Sequence, residues 1–157
     1  MDKIDKVLAR VRGQRVYVDT NIFIYFLDRH DRYFDSVVPF FQLFSDGLSV
    51  AYTGDAVVAE TLYRPYQVND TLRVSEFKEF FNNDEFITVL SHTKKVFELA
   101  AELSPKRAMK LIDALHYATA ALAGCKFILT NDHGFTSSES VEVIHLEDLL
   151  PKSFLNN

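Results

Sequence analysis

Short β-branched and aromatic runs alternate with longer helical patterns along this chain, and that alternation most limits the folds open to it. The runs Val16–Val18, Leu48–Thr53, Phe86–Leu90, Phe127–Thr130 and Val141–His145 have the length and the side chains of strands. Between them, apolar residues return at helical spacing. Ile4, Val7, Leu8 and Val11 keep the i, i+3, i+4, i+7 rhythm, and Gly13 supplies a C-terminal stop. Phe34, Val37, Val38, Phe41 and Phe44 repeat the pattern. Pro39 puts the start of that helix near Ser36, because proline is tolerated in a first turn. Further helices are expected over 55–66, 71–82, 93–103 and 106–123. Strands alternating with helices predict an α/β fold whose sheet is mainly parallel and covered on both faces. In such a sheet, ligands bind beyond the carboxyl ends of the strands at the topological switch point.

A length of 157 residues, with no repeat, low-complexity tract or Gly/Ser linker, predicts a single domain over 1–157 with residues 1–13 as a helical extension. The chain is 48% hydrophobic and 25% charged, which sets disorder aside. Its fourteen Phe and seven Tyr, with no Trp, predict an aromatic core. One cysteine, Cys125, leaves no intramolecular disulfide and fits a reducing, cytoplasmic setting. Between Gly124 and Lys126 it reads as a small hydrophobe. No apolar run approaches the roughly 18 residues of a membrane span, and Met1 to Arg12 lacks the core of a secretory signal. The net charge of −5 argues against broad, non-specific binding of nucleic acid. It leaves a metal-armed site open, since a divalent cation inverts the sign of an acidic pocket.

Four carboxylates sit where the switch-point rule directs attention. Asp19 ends the first strand in Val18-Asp19-Thr20-Asn21. It could cap a helix, but Thr20 or Asn21 can do that and leave Asp19 free. Glu60 lies in the helix after the second strand with Asp55 as the expected N-cap, and its neighbours Ala56, Val57, Val58, Ala59 and Leu62 predict a buried setting. Burying a lone carboxylate is costly unless it is paired or bound to metal. Asp113 faces away from the stripe Leu111, Leu115, Ala118 and Leu122, on a helix apolar nearly all round. Its candidate partners are Lys110 and a metal. Asp132 follows the fourth strand before His133 and Gly134, a context that serves a turn as readily as a ligand. His133 reads as a surface residue or a phosphate contact, since no His/Cys spacing suggests zinc. Two carboxylates about 4 Å apart repel by roughly 4 kcal/mol at an effective dielectric of about 20. A converging set must therefore protonate, hydrogen-bond or bind a cation, and all-oxygen ligands with open positions suit Mg²⁺ or Mn²⁺.

The stretches Val18-Asp19-Thr20-Asn21, Ala59-Glu60-Thr61-Leu62, Ile112 to Ala120 and Leu129 to Phe135 resemble the PIN domain, most of all the VapC-type toxins of prokaryotic toxin–antitoxin pairs. The likeness runs from about Val16 to Leu150 and is most specific around Asp113. It implies a three-layer α/β/α, Rossmann-like fold with a five-stranded sheet. It also implies Mg²⁺- or Mn²⁺-dependent cleavage of RNA, a homodimer and a small inhibitory antitoxin. The acidic set maps onto Asp19, Glu60, Asp113 and Asp132, with Asn21 and Thr130 as polar neighbours expected to bind substrate. Many relatives carry an Arg where this chain has Ser104-Pro105, and its first helix is longer than usual.

On that reading Asp19 and Asp113 hold the metal, which acidifies a bound water and places it in line with the phosphodiester. Glu60 orients or deprotonates the water. Asp132, the member expected farthest from the ion, steadies it or holds a second one. Lys110, Arg107 and Arg64 are candidate phosphate contacts, and the products carry a 5′-phosphate and a 3′-hydroxyl. Two rivals remain. A phosphohydrolase of the haloacid dehalogenase type also starts from an Asp after the first strand, but needs a second Asp where this chain has Asn21. A non-catalytic PIN-like module binding RNA or protein has little use for four converging carboxylates.

Overall fold

The computed structural model describes residues 1–83 and 85–154; the end of the expected domain, residues 155–157, lies outside the described residues. The elements run α1 (Lys3–Val11), β1 (Arg15–Val18), α2 (Thr20–Leu27), α3 (Phe34–Ser45), β2 (Val50–Gly54), α4 (Asp55–Gln67), α5 (Thr71–Phe81), β3 (Thr88–Leu90), α6 (Lys94–Lys106), α7 (Leu111–Leu122), β4 (Phe127–Thr130) and β5 (Glu142–His145), with 3₁₀ turns at Leu146–Leu149 and Lys152–Phe154. The strands form one sheet in the order β3-β2-β1-β4-β5, and every pairing is parallel. The chain moves outward from β1 through β2 to β3, then crosses back to build β4 and β5 on the other side. The switch point is therefore the gap between β1 and β4.

Alternation along the strands builds a core on each face. Val16, Val18, Phe127 and Leu129 point to one side and meet Ile22, Phe23, Val37, Phe41 and Phe81. Tyr17 and Ile128 point to the other and meet Val96, Ala100, Ala114, Tyr117 and Ala118 of α6 and α7. The first core is the aromatic one. Phe41 stacks on Phe26 at 4.1 Å between centroids and meets Phe23, Phe44 and Phe80 edge-on. Cys125 is buried, and desolvation pushes its thiol up to about 12, as a packed hydrophobe rather than a nucleophile requires. Among the described residues no helix is long and apolar enough to cross a membrane.

Several boundaries depart from the pattern reading. Helix α2 was hidden, because Ile22 to Leu27 is apolar without a gap and shows no helical period. Helix α3 starts at Phe34, before Ser36, so Pro39 lies inside it. The expected helix over 106–123 begins only at Leu111. Helix α6 runs on through Pro105 to Lys106, and Ala108 takes a φ of +51° between the two helices. Ser104 fastens that break: its carbonyl accepts from the Met109 amide and its hydroxyl donates to the Met109 carbonyl. The stripe Leu111, Leu115 and Leu122 is not the core side of α7, since Leu111 and Leu122 are exposed. The buried side carries Asp113, Ala114 and Tyr117.

Candidate active site

The carboxyl ends of β1 and β4 bring the first residues of the site together. The Asp19 amide donates to the Leu129 carbonyl at 3.0 Å, extending the β1–β4 pairing by one residue. The Asp19 side chain is then fixed twice. Oδ1 accepts from the Thr20 amide at 2.8 Å and Oδ2 from the Thr130 hydroxyl at 2.7 Å. Asp19 is thus itself the N-cap of α2, where Thr20 or Asn21 was expected. Thr130 is fully buried and also accepts from the Asp132 amide. It fixes the Asp19 carboxylate and the backbone of Asp132, and has no surface to offer a substrate. Asn21 accepts the Asn131 amide on its Oδ1, tying the two strand ends together. That tie leaves Asn21 poorly suited to the acid/base part that a haloacid dehalogenase reading would give it.

Asp113 enters from the first turn of α7 and Asp132 from the turn after β4. Gly134 lies between them: a Cβ there would meet Asp113 Oδ2 at 3.0 Å and Asp132 Oδ1 at 3.1 Å. Asp132 is exposed, and its Oδ1 accepts the Gly134 amide at 2.8 Å. Burial raises the Asp113 carboxyl above the usual range, and the charges of Asp132 and Asp19 push it further the same way. Asp19 is also raised, by desolvation first, against the opposing pull of its Thr130 bond and of His116. Burial leads both shifts, and like charges add to it, Asp132 and Asp19 at Asp113 and Glu60 at Asp19. Among the described residues no ion pair reaches Asp19, Asp113 or Asp132, although carboxylates elsewhere, such as Glu147 with Arg32, are paired.

Glu60 faces this group from α4. The expectation of a buried Glu60 fails: its side chain is 39% exposed. It is held by His116, which the strand-end criterion passed over. His116 is fully buried; its Nε2 meets Glu60 Oε1 at 2.6 Å and its Nδ1 meets the Tyr17 hydroxyl at 2.8 Å. The signal was present in the sequence, because His116 stands three residues after Asp113 and shares its helix face. Helix α4 has no cap of its own. Gly54 takes the N-cap place where Asp55 was expected, and His92 Nε2 accepts the Ala56 amide from outside the helix. His92 Nδ1 therefore carries the proton and donates to Thr119 Oγ1.

The basic candidates divide. Lys110 is exposed at the N-cap of α7, and its charge reaches Asp113. Arg64 is exposed one turn beyond Glu60 and donates to Gln67. Arg107 is turned elsewhere: its guanidinium donates to the Thr136 and Ser137 carbonyls and stacks over Tyr117 at 4.7 Å, so it straps a loop instead of meeting phosphate. His133 is exposed and stacks on His145 at 5.2 Å.

The donors suit a hard divalent cation, being all-oxygen and without an ion pair to Asp19, Asp113 or Asp132 among the described residues. The Thr20 hydroxyl beside them is buried without a hydrogen-bond partner among the described residues. As they lie, no three His, Cys, Asp or Glu side chains of the described residues meet at ligand distance, so coordination requires side-chain rotation.

Comparison with known proteins gives a consistent result. Residues 16–138 match the family model of the PIN domain. Ribonuclease VapC1 of Aquifex aeolicus is 27% identical over 141 residues, spanning 88% of this chain and 94% of that protein. The VapBC2 structure from Rickettsia felis, bound to a promoter DNA fragment, superposes with a TM-score of 0.67 at 16% identity, over 83% of this chain and 98% of that one. VapC20 of Mycobacterium tuberculosis, described as a Sarcin-Ricin loop cleaving toxin, gives 0.59 at 17% identity, over 72% and 86%. At such identities the structural matches carry the fold.

Proposed function

This chain belongs to the PIN domain family, and from that premise we propose that it is a Mg²⁺- or Mn²⁺-dependent endoribonuclease, the toxin member of a VapBC-type toxin–antitoxin pair. The observation that carries the reading is that Asp19, Asp113 and Asp132 are brought to the switch point close enough for their charges to act on Asp113, with no ion pair to any of them among the described residues and Glu60 on the facing helix.

Asp19 and Asp113 would hold the ion, and a bound Mg²⁺ or Mn²⁺ would supply Lewis-acid stabilisation of the phosphoryl oxygens and a more acidic attacking water. Glu60, the exposed carboxylate of the set, would orient that water or take its proton. Asp132, on the turn after β4, would steady the ion or hold a second one. Thr130 keeps Asp19 and Asp132 in register, and Lys110 is the basic group best placed to meet a phosphate. Attack by water leaves a 5′-phosphate and a 3′-hydroxyl. The groove between α2, α4 and α5, lined by Ile24, Pro65 and Phe77 with Tyr63 and Leu72 exposed nearby, supports a small antitoxin partner. A homodimer completes the reading and is read out by light scattering.

The test is incubation of structured RNAs with Mg²⁺, Mn²⁺ or EDTA, comparing wild type with Asp19→Asn and Asp113→Asn. Metal-dependent internal cleavage lost in both variants is the expected result. Cleavage that survives both substitutions means the site is wrong, and turnover of small phosphomonoesters alone would favour the haloacid dehalogenase chemistry.

A further inference from the structure

We propose that His116 is the positioning residue for Glu60: its Nε2–H holds Glu60 Oε1 from inside the protein and leaves Oε2 for the ion or the attacking water. The inference rests on the nuclease reading for the part Glu60 plays, but its argument is geometric.

An exposed glutamate on a helix loses rotamer entropy when it is fixed in one orientation, so a partner must hold it there. No other side chain among the described residues holds Glu60; its one hydrogen bond is to His116. The carboxylate can only accept, so His116 Nε2 carries a proton and the contact is charge-assisted. The imidazole is itself immobile. It is 1% exposed, and its Nδ1 is occupied by the Tyr17 hydroxyl, which comes from the sheet on the neighbouring strand to Thr53. Burial keeps the Tyr17 proton in place, and that proton is the one Nδ1 accepts. A rigid β1 side chain thus orients an α7 side chain, which orients an α4 side chain.

The arrangement links the separate parts of the site. His116 lies on the same face of α7 as Asp113, three residues further along the helix. The three elements that supply Asp19, Glu60 and Asp113 therefore converge on one imidazole. Groups that position metal ligands contribute about 10- to 100-fold in affinity or activity, and an effect of that size is expected here.

The test uses the full chain and two amides that place a donor differently. A Gln at position 116 puts its NH₂ near where Nε2 stood; an Asn puts it near Nδ1. Mn²⁺ affinity by calorimetry, kcat and KM on a cleaved RNA, and melting temperature in EDTA are measured for His116→Gln, His116→Asn, Glu60→Gln and the Glu60→Gln/His116→Asn double variant. His116→Asn is expected to weaken Mn²⁺ binding and kcat by about 10- to 100-fold with KM for RNA little changed. His116→Gln should recover most of that loss. In the Glu60→Gln background, His116→Asn should add nothing further, because its effect runs through Glu60. Equal losses in the Gln and Asn variants, additive losses in the double variant, or losses that follow the melting temperatures each overturn the proposal. Should wild type cleave no RNA while the Mn²⁺ affinities keep the expected order, the positioning role stands and the ribonuclease reading falls.

Discussion

Asp113 is raised by burial and by two like charges, so the folded, metal-free protein is strained at this residue. Asp113→Asn removes the charge while keeping the shape. Its expected signature is a melting temperature above wild type in EDTA, a smaller upward shift when Mn²⁺ is added, and cleavage reduced by about 100-fold or more, beyond the range seen for outer partners of metal ligands. An unchanged Mn²⁺ shift would remove Asp113 from the ligand set. Asp19 and Asp113 were legible in the sequence because one ends a strand and the other lies on a helix with no polar face to spare. Glu60 lies in the helix after the second strand as expected, but its expected burial fails. Of the apolar neighbours that suggested burial, Val58, Ala59 and Leu62 point to other sides of the helix and only Ala56 and Val57 share its face, so their apolarity said little about its own exposure. His116 was missed for a related reason: its work is done through Glu60 and Tyr17, which lie 56 and 99 residues away in the chain.

At the scale of elements, α4 depends on groups from outside itself. His92 caps it, and Gly54 at its N-cap allows Tyr17 and His92 to close over the turn. A Cβ on Gly54 would stand 2.4 Å from His92 Cε1 and 2.7 Å from the Tyr17 hydroxyl oxygen. Both rings are held at their far ends by hydrogen bonds, so neither can swing aside freely. Gly54→Ala is therefore expected to destabilise the fold by about 1–3 kcal/mol, the usual cost of overpacking, and to lower activity beyond that by disturbing Glu60. Urea denaturation and cleavage assays on the same preparation separate the two effects, and a neutral change in both would show that the turn has room. The strands and most helices were legible because their periods survive in the sequence. Helix α2 was not, since an unbroken apolar run carries no period. The break between α6 and α7 was misplaced because its fastening, the Ser104–Met109 bonds and the left-handed Ala108, leaves no Gly or Asn as a marker.

For the whole molecule, the site and the stability are linked through protons. Asp19 and Asp113 have raised values in the folded state, so the folded protein binds protons more readily than the unfolded chain. Their contribution is fully present below the unfolded value of about 3.9 and is lost as pH rises through the folded values. Glu102 and Glu147 act in the opposite sense, each lowered first by a hydrogen bond, from Lys106 and Tyr33 respectively. Both sit at the surface, where such pairs contribute little. In EDTA the melting temperature of wild type, measured relative to an Asp19→Asn/Asp113→Asn double variant, should fall as pH rises from about 4 towards neutrality. Mn²⁺ requires the deprotonated ligands, so its stabilising shift should grow over the same interval in wild type and stay flat in the double variant. A wild-type curve parallel to that of the double variant would mean that the two carboxylates do not share one strained site. The acidic net charge that argued against broad nucleic-acid binding then has a local meaning on the proposed reading: the carboxylates at the switch point would oppose the folded state until a cation joined them.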